Sequence, residues 1–149
     1  MGNICYVPQE GGEVATLSLG NPAAGANWLY TVPGDREYEI RCMQAKLTTS
    51  AVPGNRQPLF VIYDSGMNDL YRLYFSTTVP ASMTAVFSLY RNCRRSDYYL
   101  LVSAGNSHYN DALPACRLRG GMYIGAAFSA MDVGDQWTEI RIEAHRWRS

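Results

Sequence analysis

The residues of this chain with which an enzyme could work are His108, His145, four cysteines and thirteen carboxylates. Nucleophilic catalysis needs a Ser or Cys held beside a base, and no G-x-S-x-G elbow occurs. His108 follows Ser107 in a polar stretch with Tyr109 and Asn110, which reads as a loop, and His145 falls on the polar side of the last apolar–polar alternation. Both read as surface residues. Asp64, Asp69, Asp132 and Asp135 could supply the carboxylate pair of a glycosidase, which needs two carboxyls roughly 5–9 Å apart. Each of them lies close to Gly or Asn, the setting of a side chain that caps backbone N–H groups in a turn. Asp64-Ser-Gly-Met-Asn-Asp69 imitates a calcium loop but lacks the closing Glu. Cys5, Cys42, Cys93 and Cys116 form no C-x-x-C pair, and two histidines do not complete a zinc cage. They read as small buried thiols of a chain made in a reducing cytoplasm. Gly11-Gly12 and Gly120-Gly121 lack the spacing of a phosphate loop. The expectation is a protein that is not an enzyme, with no catalytic, metal-binding or cofactor-binding residue.

The recognition chemistry is richer. Arg91, Arg94 and Arg95 are followed by Tyr98 and Tyr99, and interleaved Arg and Tyr could stack on bases. Asp97 and a net charge of zero turn the reading away from nucleic acid and toward a hairpin tip that docks on an acidic protein neighbour. Twelve arginines stand against the single Lys46, beside eleven tyrosines and three tryptophans. Arginine tolerates partial burial and bidentate pairing, and amphipathic rings suit contacts between proteins. Flat rings also stack on sugars, for which Trp28, Tyr30, Tyr98, Tyr99 and Tyr109 come forward; a place in the core or an interface is the plainer reading of the same rings. At the turn Gly54-Asn55-Arg56, Asn55 is expected to satisfy backbone groups and Arg56 to pair with Asp64 or Asp135.

The elements that position these residues are short β-runs punctuated by Gly, Pro, Asn and Asp. Strands are expected at Ile4–Val7, Val14–Leu19, Trp28–Val32, Tyr38–Leu47, Leu59–Tyr63, Tyr71–Ser76, Ala85–Arg91, Tyr98–Ser103, Cys116–Arg119, Met122–Phe128 and Gln136–Arg146. The last alternates most clearly, with Ile140, Ile142 and Ala144 inward and Glu139, Arg141, Glu143 and His145 outward. Tyr71, Leu73 and Phe75 alternate in the same way with Arg72, Tyr74 and Ser76. About ten short strands in 149 residues predict a single-domain, all-β antiparallel sandwich of jelly-roll type. Its core should hold Leu17, Ile40, Phe60, Ile62, Leu73, Phe75, Phe87, Leu89, Ile124, Ile140 and Ile142. Residues 1–26 are expected to form an N-terminal arm carrying one strand, and residues 27–149 the sandwich. No secretory signal, myristoylation motif or membrane span is read in the chain.

A resemblance adds to this. Leu47-Thr-Thr-Ser-Ala51, Gly54-Asn-Arg-Gln-Pro58, the apolar strand ending in Asp64, Pro80-Ala-Ser82, Ala112-Leu-Pro114, Arg117-Leu-Arg-Gly-Gly121 and Gly134-Asp-Gln-Trp-Thr138 follow one another in order. Over roughly Trp28 to Trp147 this ordered set resembles small virion structural proteins of tailed bacteriophages. The resemblance implies a β-sandwich subunit on the phage particle, a capsid decoration or cement protein that binds the major capsid protein and copies of itself. A neck or tail component, or a carbohydrate-binding module of the particle, is the alternative it leaves open. No catalytic residue is carried over. The N-terminal arm and the Arg91–Tyr99 region are the expected contact surfaces, with no membrane or nucleic-acid partner.

Overall fold

The computed structural model describes residues 13–75, 78–91, 107–128 and 130–148. Its strands are β1 (Glu13–Leu19), β2 (Leu29–Thr31), β3 (Arg36–Thr48), β4 (Leu59–Tyr63), β5 (Asp69–Tyr74), β6 (Thr84–Tyr90), β7 (Ser107–Ala112), β8 (Arg117–Arg119), β9 (Tyr123–Ala127) and β10 (Gln136–Arg148). No helix occurs among the described residues. One sheet has the order β1-β10-β3-β6-β7, with β8 pairing the start of β3, and the other the order β2-β9-β4-β5. The two pack face to face as a β-sandwich.

Alternation explains which side chains fill the gap between the sheets. On β10, Ile140, Ile142 and Ala144 are buried while Glu139 and Arg141 are exposed, as period 2 requires. Trp137 and Ile140 both face inward although three positions separate them. A bulge absorbs the extra residue: the β10–β3 register shifts between Thr138 and Arg141, and Glu139 takes a left-handed φ of 51°. The ammonium of Lys46, on the neighbouring strand, donates to the Glu139 carboxylate and straps the bulge.

Trp137 is fully buried at the centre of an aromatic cluster. Its ring centroid lies 6.2 Å from Phe60, 6.0 Å from Phe87 and 5.9 Å from Phe128. Phe75 bridges Phe60 at 5.4 Å and Phe87 at 4.8 Å. These tilted and edge-on contacts suit the ring quadrupoles and join the two sheets. Of the core expected from alternation, all but Leu17 and Leu73 are buried, and those two are partly covered. Both lie on edge strands, β1 and β5, where a neighbour packs on one side only.

Three expectations need correction. The polar stretch around His108 is strand β7, not a loop, and it runs parallel to β6. The sandwich is therefore not wholly antiparallel. Parallel neighbours need a crossover of a dozen or more residues, and residues 91–106 supply the length. Within the segment expected as an N-terminal arm, the expected strand forms as β1 and pairs with β10 along its whole length, from Glu13↔Arg146 to Leu19↔Ile140. Tyr71 is 40% exposed despite its inward parity, because it follows a bulge at the start of edge strand β5. On β6 both faces are buried from Ala85 to Leu89, so its weak alternation reflects a central strand. The runs expected at Ile4–Val7 and Tyr98–Ser103 lie outside the described residues.

Candidate functional site

One end of the sandwich is built from the loops that precede β2, β4 and β10, and a single buried ion pair ties them together. Arg56 is 2% exposed and Asp135 fully buried. A guanidinium carries five N–H donors in a fixed fork, and here each has an acceptor. Nε and Nη2 donate to Oδ2 and Oδ1 of Asp135 at 3.0 and 3.1 Å. Nη2 also donates to Ser50 Oγ at 3.0 Å. Nη1 donates to the carbonyls of Val52 and Gly54 at 3.0 and 2.7 Å. The carboxylate is as fully used. Besides Arg56, it accepts the Ser50 N–H on Oδ1 and the Asp132 N–H on Oδ2, both at 2.8 Å. The two groups leave no unsatisfied polarity between them, which is what allows a charge pair to sit in the interior.

The network reaches all three loops. The Asp135 carbonyl accepts the Gly25 N–H at 2.7 Å, bringing in the loop before β2. Gly25 has φ 76°, and a Cβ there would lie 2.8 Å from Val133 Cα, so only glycine permits this approach. Ser50 Oγ donates to Asp132 Oδ1 at 2.7 Å, joining the loops before β4 and β10. Burial alone would raise the Asp135 carboxyl. The hydrogen bonds from Arg56, Ser50 and Asp132, with the guanidinium charge, outweigh it and hold the group below the usual carboxylate range. The Ser50 hydroxyl, then the Gly134 N–H, hold Asp132 low as well. Above this fixed base the loops present apolar side chains to solvent: Val52 is 51% exposed and Val133 83%.

Beside this end, on the outward side of the four-stranded sheet, lies a groove of about 420 Å³. Leu59 and Phe128 are nearly buried beneath it, while Asn27, Gln57, Arg72 and Tyr74 rise around it. The opposite outer surface, on the six-stranded sheet, has another character. There Arg91 meets Glu39 at 2.7 Å, Arg41 meets Glu143 at 3.6 Å and Arg117 meets Glu37 at 3.7 Å. The Arg117 guanidinium also lies 4.5 Å from the Trp147 ring centroid.

The residues singled out by sequence are scattered over these regions. Gly54 and Arg56 belong to the buried network, but Asn55 is exposed and the backbone acceptors of the turn are satisfied by Arg56 itself. Asp135, not Asp64, is the arginine's partner. Asp64 instead closes its own turn, accepting the N–H groups of Gly66 and Asn68 at 2.8 and 2.9 Å. Asp69 pairs with Arg72. Arg91 lies on the charged face, some way from the loop end, and Arg94, Arg95, Tyr98 and Tyr99 lie outside the described residues. Of the rings weighed for sugar stacking, Trp28 is buried, Tyr30 stacks on Tyr38 at 6.1 Å and Tyr109 on Phe87 at 5.3 Å. They are packing residues. His145 meets the Trp147 ring edge-on. Cys42 is buried, and burial pushes the half-covered Cys116 thiol up. Among the described residues no three His, Cys, Asp or Glu side chains come together as a metal site. Sequence reasoning missed Asn27, Gln57 and Tyr74. The one local signal was the polar side of β5, where Arg72 and Tyr74 share a face.

Fold and site together define a β-sandwich with one rigid, apolar-tipped loop end. No protein-family model matches the chain, and no curated protein matches it.

Proposed function

We propose that this chain is a non-enzymatic structural protein of a phage particle, a decoration subunit that binds the outer capsid shell and stabilises it. The observation that supports the reading is the loop end. Arg56 and Asp135 immobilise three loops from below, so Val52 and Val133 are held in place before any partner arrives. Pre-ordering a contact surface removes part of the entropy cost of binding. A subunit that binds assembled shell better than free capsid protein shifts the equilibrium toward the shell by mass action. The ordered resemblance to virion proteins supplies the partner: the major capsid protein, with several copies of this chain on one particle. It also supplies the location, a virion assembled from protein made in host cytoplasm. The chain's net charge of zero fits contacts made by shape and local pairing rather than long-range attraction.

Immunogold labelling of intact virions tests the reading. Signal over the whole shell supports it, and signal confined to the neck or tail overturns it. Val133→Asp should abolish binding to shells stripped of this protein while leaving the melting temperature within about 2 °C of wild type, since an exposed tip contributes little to folding.

A further inference from the structure

The groove beside the loop end has a chemistry that the docking of valine tips does not use. Its walls come from four places in the chain, and two of its polar side chains are already oriented. The Arg72 guanidinium donates to the Asp69 carboxylate, which holds it at the rim beside Tyr74, whose ring is 51% exposed. Across the groove, Asn27 Oδ1 accepts the indole N–H of buried Trp137 at 3.4 Å, which leaves the amide N–H groups to point elsewhere. Gln57, exposed on the loop before β4, adds a second carboxamide. The floor of Leu59 and Phe128 is apolar.

We propose that this groove is a saccharide subsite for a neutral pyranose. A sugar ring has an apolar C–H face and a rim of hydroxyls, each both donor and acceptor. Tyr74 offers a half-exposed ring for the face. Asn27 and Gln57 offer amides for adjacent hydroxyls, with Arg72 as a further donor. Because Arg72 is paired with Asp69, the groove carries no uncompensated charge, and the fit is to a neutral rather than an acidic sugar. Its volume lies within the range of small-molecule clefts, roughly 300–1,000 Å³. Arg72, held by Asp69, and Asn27, held by Trp137, lose little freedom when a ligand arrives, which favours a weakly held ligand such as a sugar.

The proposal stands apart from capsid docking and is tested on the isolated full-length chain. Saturation-transfer difference NMR with maltotriose, chitotriose, mannotriose and lactose, each titrated into the millimolar range, is the measurement, with sorbitol as an acyclic control. At least one oligosaccharide should give a saturable signal strongest at ring protons, and sorbitol should give none. Tyr74→Ala should weaken that binding roughly tenfold, the worth of one aromatic contact. Tyr74→Phe should keep most of it, and Gln57→Ala, at an exposed loop position with no effect on folding, should weaken it severalfold. Failure of all four sugars to saturate, equal binding of sorbitol, or an unchanged affinity in both Tyr74→Ala and Gln57→Ala would overturn the assignment. So would a groove whose amide resonances shift with stripped capsid shells and with none of the sugars, which would mark it as a protein contact.

Discussion

Arginine meets carboxylate in two different settings in this molecule. At the loop end, Arg56 and Asp135 are buried and every donor of the one and acceptor of the other is occupied. On the outer side of the six-stranded sheet, Arg91–Glu39, Arg41–Glu143 and Arg117–Glu37 place the same groups where roughly a quarter to a half of each side chain still touches water. In the exposed pairs solvent competes for each charge, and either partner can be lost without leaving the other stranded. In the buried pair water is excluded, so the geometry of three loops depends on both partners being present. The chemistry is shared; burial separates a surface decoration from a structural joint.

The comparison can be broken most directly at Asp135. Asp135→Ala strands a buried guanidinium and should cost about 3–5 kcal/mol in urea unfolding. Replacing both partners together, as Arg56→Met with Asp135→Leu, should recover only part of that loss. The N–H groups of Ser50 and Asp132 and the carbonyls of Val52 and Gly54 would remain without their partners. Full recovery would show that the pair is dispensable and the loops are held by packing alone.

Arg56→Lys comes next in size. A single ammonium keeps the charge but cannot reach Asp135, Ser50, Val52 and Gly54 together, and a loss of about 1–3 kcal/mol is expected. An unchanged melting curve would mean that charge, and not the planar fork, is what the site requires.

The pair should also appear in the pH dependence of stability. Asp135 has its carboxyl depressed on folding, so its contribution is fully present above the unfolded-state value of about 4 and is lost as pH falls through the lower folded value. Melting temperatures should be level between neutrality and about pH 5, then drop below about pH 4. Asp135→Asn, which cannot titrate, should remove this group's share of the acid slope. An acid slope unchanged in that variant would assign the loss to other carboxylates.

The smallest effect is expected on the charged face. Glu39→Ala, which removes the partner of Arg91, should change stability by no more than about 1 kcal/mol, and by less as salt is raised. A loss approaching that of Asp135→Ala would erase the distinction between the two regions.

Much of the architecture was legible in the order of residues, because alternation and turn chemistry are local. Ile140, Ile142 and Ala144 declare the buried side of β10 within five positions, and Gly54-Asn55-Arg56 declares a turn with a cation in need of a carboxylate. Sequence narrowed that carboxylate to two. It could not choose between them, since Asp64 and Asp135 look alike until Asp64 is seen closing its own turn with Gly66 and Asn68. Pairing between distant segments was likewise out of reach. β7 carries little apolar alternation and becomes a strand only because the edge of β6 offers it a hydrogen-bonding partner. The bulge at Glu139 appears only when thirteen residues of β10 are laid against β3 and the register has to slip. The groove is the extreme case. Asn27, Gln57, Arg72 and Phe128 share no local pattern and meet because three loops and an edge strand end at the same side of the sandwich. Local periodicity told which side chains must leave water; only the closure of the two sheets on one another decided which of the others would meet.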